Sequence, residues 1–194
     1  MVKRMIVAAV AIFATALSTQ AAEWKLDKPH SSCEFKVSHM VISNVVGQFN
    51  DFDANLQFDG TDLAAGSVEA NITVGSINTE NERRDNHLKS PDFLDAVEHP
   101  TITFKSKTII PGEGKKFKMV GDLTIRGVTK EVTLDCEFHG TIDAMGTTKA
   151  GFSAQTKINR QDYGVSWSKT LDNGGLVAGN DVTITLELEF DKEA

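Results

Sequence analysis

Histidine is the side chain most often used as a metal ligand or as an acid and base near neutral pH, and the sequence contains five of them. They are His30, His39, His87, His99 and His139. No pair has a spacing typical of metal ligands, such as two histidines four residues apart on a helix. His39 falls on the inward face of a predicted strand, which suits a hydrogen-bonded wall residue or a polar contact to a ligand. The sequence therefore predicts no metal site and no cofactor.

Serines near histidine or aspartate could form a nucleophilic group. Residues 31–32 are both serine and follow His30, and Ser166 and Ser168 precede Asp172. The Gly-x-Ser-x-Gly turn that presents a nucleophilic serine in many hydrolases does not occur in the sequence. Serines beside glycines in loops usually form turns. We therefore expect a protein that is not an enzyme. The alternative is a lipid-modifying enzyme with His39 and His87 as acid and base.

A highly charged stretch, residues 82–95, lacks the alternation seen elsewhere in the mature chain. We expect a short helical excursion here, with Asn78 or Thr79 as the N-cap. Glu82 would complete a capping box with Thr79. Pro91 is expected to open a second turn, because a proline in the first turn loses no helical hydrogen bond.

Two interpretations of this excursion remain open. Leu88, Phe93 and Leu94 could line the mouth of a barrel while Arg84 or His87 meets a polar head group, such as a phosphate. Alternatively, the charged side chains could fasten the helix to neighbouring loops, and this structural role is the favoured one for Asp85.

Cys33 and Cys136 both fall on predicted inward faces. They could form a disulfide in an oxidising compartment or remain buried thiols, and their spacing does not decide between the two. A redox-active pair is disfavoured because there is no Cys-x-x-Cys motif. Tyr163 and Trp167 lie in a glycine-rich loop over residues 162–179, where they could form a lid over a ligand or simply be shielded loop aromatics.

Alternating apolar and polar residues mark about eight strands. The last strand is the clearest, with inward apolar residues from Val182 to Phe190. The apolar phase shifts between Phe49 and Phe52, which predicts a bulge near residues 50–51. These segments, joined by turn-length links, favour an antiparallel barrel over a sandwich. Small inward residues leave room for a ligand, although they would also suit a solid core.

The N-terminus has the features of a secretory signal peptide. Lys3 and Arg4 precede an apolar run, and small residues lead to a predicted cleavage after Ala21. An uncleaved membrane anchor is disfavoured, since the run is shorter than the roughly 20 residues of a spanning helix. We therefore expect a cleaved signal peptide at 1–21, a single domain at 22–194, a periplasmic location and no transmembrane segment after cleavage.

The formal net charge of the chain is −7. Loss of Lys3 and Arg4 with the signal peptide makes it two units more negative. Such an acidic protein is a poor candidate for binding nucleic acid, whose phosphates attract basic surfaces.

Several separated segments together resemble the YceI-like family of periplasmic polyisoprenoid-binding, lipocalin-like proteins. These segments are Asp27 and His30-Ser31 with Phe35 and His39-Met40; Val46–Phe49; Arg84–Leu88 with Asp92–Asp95; Pro100 with Phe104–Ser106; Gly121–Thr129; and Ile158–Gly164. The resemblance covers essentially the whole mature chain. Tyr163 stands where phenylalanine is usual, and the pair Cys33 and Cys136 is not a family hallmark.

The resemblance implies an all-β fold, an eight-stranded antiparallel lipocalin-like barrel with the helical excursion near one end. It also implies a long-chain lipid or isoprenoid ligand inside the barrel, a possible link to stress response, and a possible homodimer. A non-binding periplasmic stress or interaction protein with a solid core is the alternative. The predicted ligand-binding residues are Phe35, Val37, His39, Phe49, Ala70, Ile72, Arg84, His87, Leu88, Phe93, Phe104, Phe152, Ala154 and Trp167.

Overall fold

The computed structural model describes residues 22–60, 62–172 and 174–193. The predicted signal peptide, 1–21, lies outside these ranges. The strands are β1 (Ala22–Leu26), β2 (Ser32–His39), β3 (Ser43–Phe49), β4 (Phe52–Phe58), β5 (Ser67–Thr73), β6 (Ile77–Asn78), β7 (Thr101–Pro111), β8 (Lys116–Ile125), β9 (Val128–Ala144), β10 (Thr147–Asn159) and β11 (Ala178–Lys192). The helix α1 (Glu82–Lys89) is accompanied by 3-10 turns at Lys28–His30, Leu63–Ala65, Val74–Ser76 and Arg160–Tyr163.

These segments form a closed antiparallel barrel of eight strands, as predicted, because three barrel strands each consist of two segments. A 3-10 turn separates β1 from β2, residues 50–51 separate β3 from β4, and a second 3-10 turn separates β5 from β6. The break at 50–51 falls where the shift of apolar phase predicted a bulge, but it is a two-residue bend between β3 and β4. The long strand β11 closes the barrel by pairing with both halves of the first strand: Phe190 lies opposite Leu26, and Val182 lies opposite Val37.

Alternation along the strands positions the core. In β4, for example, Phe52, Ala54, Leu56 and Phe58 are buried, and the residues between them are more exposed. Side chains of successive strand residues point to opposite faces, so this pattern places one face of each strand inside the barrel.

One end of the barrel is closed by aromatic rings. Trp24, Phe58 and Phe190 are almost fully buried there. The indole Nε1–H of Trp24 donates a hydrogen bond of 2.8 Å to the carbonyl oxygen of Phe58, which satisfies its single polar group. The opposite end carries α1, the β2–β3 hairpin and the loop between residues 163 and 178.

The excursion is helical where predicted, but the predicted cap is wrong. Asn81 is the N-cap, and its Oδ1 accepts a hydrogen bond of 3.0 Å from the backbone N–H of Arg84. Thr79 is unavailable for capping because its N–H and hydroxyl both donate to the carboxylate of Asp85, which is buried within the helix. Asp85 therefore fastens α1 to the chain before it, as the favoured structural role predicted.

Residues after α1 fold back over the same end of the barrel. The guanidinium of Arg126, in the β8–β9 turn, donates hydrogen bonds to the carbonyl oxygens of Phe93 (2.6 Å) and Gly164 (3.4 Å). Arg126 thus joins the excursion to the long loop. Across the part of the chain that the structure describes, no helix combines the length and apolar character needed to cross a membrane.

Candidate functional site

The barrel encloses a cavity of about 410 Å³. This volume falls within the roughly 300–1,000 Å³ range of ligand pockets in proteins. Inward residues of the strands line it, and nearly all of these are apolar; in β11 they are Val182, Ile184, Leu186, Leu188 and Phe190. A water molecule placed in such a lining would find few hydrogen-bond partners, whereas an apolar chain would be well accommodated.

The width of the cavity is set by small side chains at its middle. Ala54 of β4 lies opposite Ala70 of β5 in the strand register, and Ala154 projects inward from β10. Phe104 of β7 is the large neighbour of Ala70. Methyl side chains leave space along the barrel axis that leucine or phenylalanine would fill.

A set of phenylalanines, here called the aromatic floor, ends the cavity on the side of Trp24. Its members are Phe58, Phe117, Phe138, Phe152 and Phe190. The rings of Phe138 and Phe152 stack with centroids 4.9 Å apart, and Phe58 meets Phe138 edge-on at 5.6 Å. Such packed rings make a rigid apolar surface with no polar group presented to a ligand.

The opposite end, here called the mouth, is covered by His87, Phe93 and Trp167. The centroids of Phe93 and Trp167 are 5.1 Å apart, and the His87 ring meets Phe93 at 4.9 Å and Trp167 at 5.4 Å, both edge-on. His87 Nε2 lies 2.9 Å from Asp92 Oδ2, which fixes the ring orientation. Trp167 therefore lies against the excursion, and Tyr163 is buried in the lining; both the lid and the shielded loop aromatic are compatible with these positions.

Two arginines bring positive charge to the lining near the mouth. Arg84 donates from Nε to Thr79 Oγ1 and from a terminal nitrogen to the Thr79 carbonyl oxygen, both at 2.7 Å. Arg160 is buried and donates to carbonyl oxygens, including that of Val165 at 2.6 Å. Burial lowers the pKa of Arg160 from its ordinary value, but the group remains a cation.

Neither guanidinium forms an ion pair with a carboxylate among the described residues. Carbonyl and hydroxyl oxygens orient both groups without neutralising them. This end of the cavity therefore presents two guanidinium groups without a direct carboxylate partner, and such groups favour an anionic or electron-rich group over a cation.

The sequence matches the YceI-like domain family over residues 24–190. A UPF0312 protein of Staphylococcus aureus (strain N315) is 40% identical over 166 residues, which are 84% of this chain and 94% of that protein. A UPF0312 protein of strain MRSA252 is 42% identical over the same shares of both chains. The chain belongs to the YceI-like family.

Solved structures agree with this assignment. The Campylobacter jejuni YceI protein is 36% identical, with a TM-score of 0.71 over 82% of this chain and 91% of that chain. Burkholderia cenocepacia BcnA is 25% identical, with a TM-score of 0.72 over 84% and 98%. A domain from Saccharophagus degradans, described as polyisoprenoid binding, shares the fold at 14% identity, with a TM-score of 0.68 over 90% and 100%.

In this YceI-like barrel, every predicted ligand-binding residue lines the cavity. From the strands these are Phe35, Val37, His39, Phe49, Ala70, Ile72, Phe104, Phe152 and Ala154; from the excursion and loop they are Arg84, His87, Leu88, Phe93 and Trp167. Their role in binding stays a prediction, because lining a cavity shows where a residue lies and not that it contacts a ligand.

Sequence reasoning missed part of the lining. Arg160, Tyr163 (named above only as a possible lid residue) and Val165 reach the cavity from the 3-10 turn after β10 and the loop that follows it. The first two stand in the segment Ile158–Gly164 that carries the family resemblance, and that segment was the available signal. No strand-like alternation marks them, because they lie beyond the end of β10.

The disulfide between Cys33 and Cys136 is not formed: both cysteines are free and buried. The strand register explains why. Cys33 lies opposite Leu186, Leu186 opposite Ala154, and Ala154 opposite Cys136, so the two cysteines are three strands apart. Three strand spacings amount to roughly 14 Å along the wall, whereas a disulfide needs Cα atoms within about 7 Å.

Outside the cavity, the carboxylates of Asp27 and Glu189 approach His30 closely enough to suggest a metal site. The ammonium of Lys149 already lies among these carboxylates, 2.8 Å from Asp27, 2.9 Å from Glu189 and 2.7 Å from Asp191. The hydrogen bond from Lys149 is the main reason that the pKa of Asp27 is lowered. This Lys149 cluster joins the break between β1 and β2 to strands β10 and β11.

Proposed function

We propose that the protein binds a long-chain apolar lipid, a polyisoprenoid or isoprenoid quinone, inside the barrel and carries or sequesters it in the periplasm. The cavity of about 410 Å³, apolar along its length, is the observation that carries the proposal. The Saccharophagus degradans neighbour is described as polyisoprenoid binding, but its 14% identity supports the fold alone, so the cavity chemistry must carry the ligand class.

The difference between the two ends of the cavity assigns an orientation to such a ligand. The aromatic floor offers no polar partner, so the apolar tail lies toward Phe58 and Phe152. The head lies at the mouth, where Arg84 and His87 meet a phosphate, phenol or quinone oxygen. A guanidinium that is oriented by carbonyl oxygens but not neutralised by them suits such an oxygen, because the guanidinium is already fixed in place before the ligand binds.

The energetics favour a long chain. Each buried methylene contributes about 0.8 kcal/mol, so roughly ten buried carbons give about 8 kcal/mol before the entropic costs of binding. That gross value corresponds to about micromolar affinity.

Native mass spectrometry of the mature protein purified from periplasm, followed by organic extraction, tests the proposal. A stoichiometric adduct with the mass of an isoprenoid is the expected result, and the extract identifies the cargo. A ligand-free mass that does not change when polyprenol or isoprenoid quinone is added would overturn it. The same spectrum tests the homodimer that the family resemblance implies.

A further inference from the structure

The hairpin between β2 and β3 ends in three apolar residues that project into solvent. Met40, Val41 and Ile42, here called the hairpin tip, are all exposed; the exposed fractions of Val41 and Ile42 are 67% and 86%. Val46 of β3 adds an exposed apolar side chain nearby in the sequence. Single exposed apolar residues are ordinary on protein surfaces, but consecutive ones at the end of a hairpin mark a contact surface.

Turn formation does not account for these residues. Met40 and Val41 are the central residues of a turn closed by a hydrogen bond of 3.2 Å from the Ile42 N–H to the His39 carbonyl oxygen. Their φ angles are 52° and 64°. Turns with two positive φ angles favour asparagine and glycine, and a β-branched residue such as valine is a clear outlier in that region. The hairpin therefore keeps apolar side chains at a cost in backbone energy.

The hairpin tip belongs to the mouth end of the barrel. The last inward residues of the hairpin, Val37, His39 and Val45, line the cavity. The N–H of Met40 donates a hydrogen bond of 3.0 Å to the carbonyl oxygen of Val177, in the loop that carries Trp167. Whatever the tip contacts is therefore brought close to the cavity mouth.

Charge distinguishes this hairpin from the rest of the surface. The chain has 27 acidic residues in 194, yet none lies between residues 35 and 50. Lys36 is the only basic residue, besides His39, in that range. An acidic protein would be repelled by phosphate head groups through most of its surface, but the hairpin could enter them without burying a carboxylate.

We propose that the hairpin tip inserts into the surface of a lipid bilayer and places the cavity mouth against the membrane. The hairpin tip would thus lie at the boundary between the lipid head groups and the acyl chains, where short apolar elements insert. The purpose of the contact rests on the proposed cargo, because an isoprenoid resides in the membrane and would have to cross water otherwise. The contact itself needs no cargo.

The test is flotation of the ligand-free mature protein with phosphatidylcholine vesicles, at low and high salt. The tip variant is Ile42→Asp. The matched control is Met145→Asp, because Met145 is fully exposed at the β9–β10 hairpin, at the aromatic-floor end. Val41→Asn is a second tip variant that suits the positive φ angle, so it preserves or improves folding. Uptake of detergent-solubilised polyprenol is measured on the same proteins.

We expect wild type and Met145→Asp to float at both salt concentrations, since apolar insertion is little affected by salt. Ile42→Asp and Val41→Asn should each reduce the vesicle-bound fraction by roughly tenfold, while all four proteins take up solubilised polyprenol. A wild type that does not float, or a tip variant that floats equally well, overturns the inference.

If the variants instead convert a dimer to a monomer and the wild type does not bind vesicles, the tip contacts a second copy of the chain. Loss of polyprenol uptake by every protein would count against the proposed function and leave flotation to decide the tip.

Discussion

Filling the middle of the cavity should abolish ligand binding without unfolding the barrel. Ala154 is buried on the inner face of β10, between Cys136 and Leu186 in the register, and it lines the cavity. Ala154→Trp adds about nine ring atoms; if these displace about five methylenes of a ligand at about 0.8 kcal/mol each, binding weakens by about 4 kcal/mol, or roughly 1,000-fold.

The cost of Ala154→Trp to stability should be small by comparison. Overpacking costs about 1–3 kcal/mol in a filled core, and here the indole has an empty cavity to enter. The barrel should therefore stay folded, with a far-ultraviolet circular dichroism spectrum like that of wild type. Gln155→Trp is the matched control, because Gln155 is exposed on the outer face of the same strand.

Binding is measured by incubation with polyprenol, removal of the excess, and chromatography of the extract. Ala70→Trp tests the wall formed by β5, with Asn71→Trp as its exposed control. Wild-type uptake by both cavity variants, each folded, would refute the reasoning, because the ligand would then lie outside the barrel. Loss of uptake in an exposed control would show that the effect is not specific to the cavity.

Three further predictions concern stability and thiol chemistry. Gly121→Ala should lower the free energy of unfolding by about 1–3 kcal/mol in urea titration, because the new Cβ would lie 2.5 Å from the Phe104 ring; an unchanged midpoint would contradict the packing. Lys149→Met should lower the free energy of unfolding at pH 7, because it leaves the carboxylates of Asp27, Glu189 and Asp191 together without a cation. The pKa of the Asp27 carboxyl is lowered in the folded protein, so its ionised form stabilises the fold at pH values above the ordinary carboxyl pKa. This stabilisation is lost as the pH falls, so the difference in stability between wild type and Lys149→Met should shrink below about pH 4. Burial raises the pKa of both cysteine thiols to about 12, so iodoacetamide should leave them unmodified at pH 8 until denaturant is added, and early alkylation would show that the barrel opens.

Local patterns predicted the parts of this fold that depend on local geometry. Alternation in β11 predicted its inward residues, and all five from Val182 to Phe190 line the cavity. The shifted apolar phase predicted the break at residues 50–51. Both follow from side chains pointing to alternate faces, a rule that needs no knowledge of neighbouring strands.

Features that depend on distant partners could not be predicted in this way. The predicted helix cap was wrong because Thr79 donates hydrogen bonds to Asp85, and Asn81 caps the helix instead. Whether Cys33 and Cys136 form a disulfide depended on how many strands separate them, and closure of the barrel by β11 sets that number. An inward phase shows that a thiol faces the interior; it does not show which wall carries it.

Ligand binding under the proposed function also depends on residues that are distant in the sequence, because the affinity is the sum of many weak contacts around the barrel. Association alone costs at least about 4 kcal/mol, and ordering of a flexible chain adds to this. At about 0.8 kcal/mol per carbon, a chain that buries five carbons barely offsets that cost, whereas twice that length leaves a useful surplus. Arg84 and His87 can orient a head group, but two polar contacts near solvent contribute too little to hold a short lipid. If the proposed function holds, the extent of the apolar lining, rather than any single residue, is therefore what favours long chains over short ones.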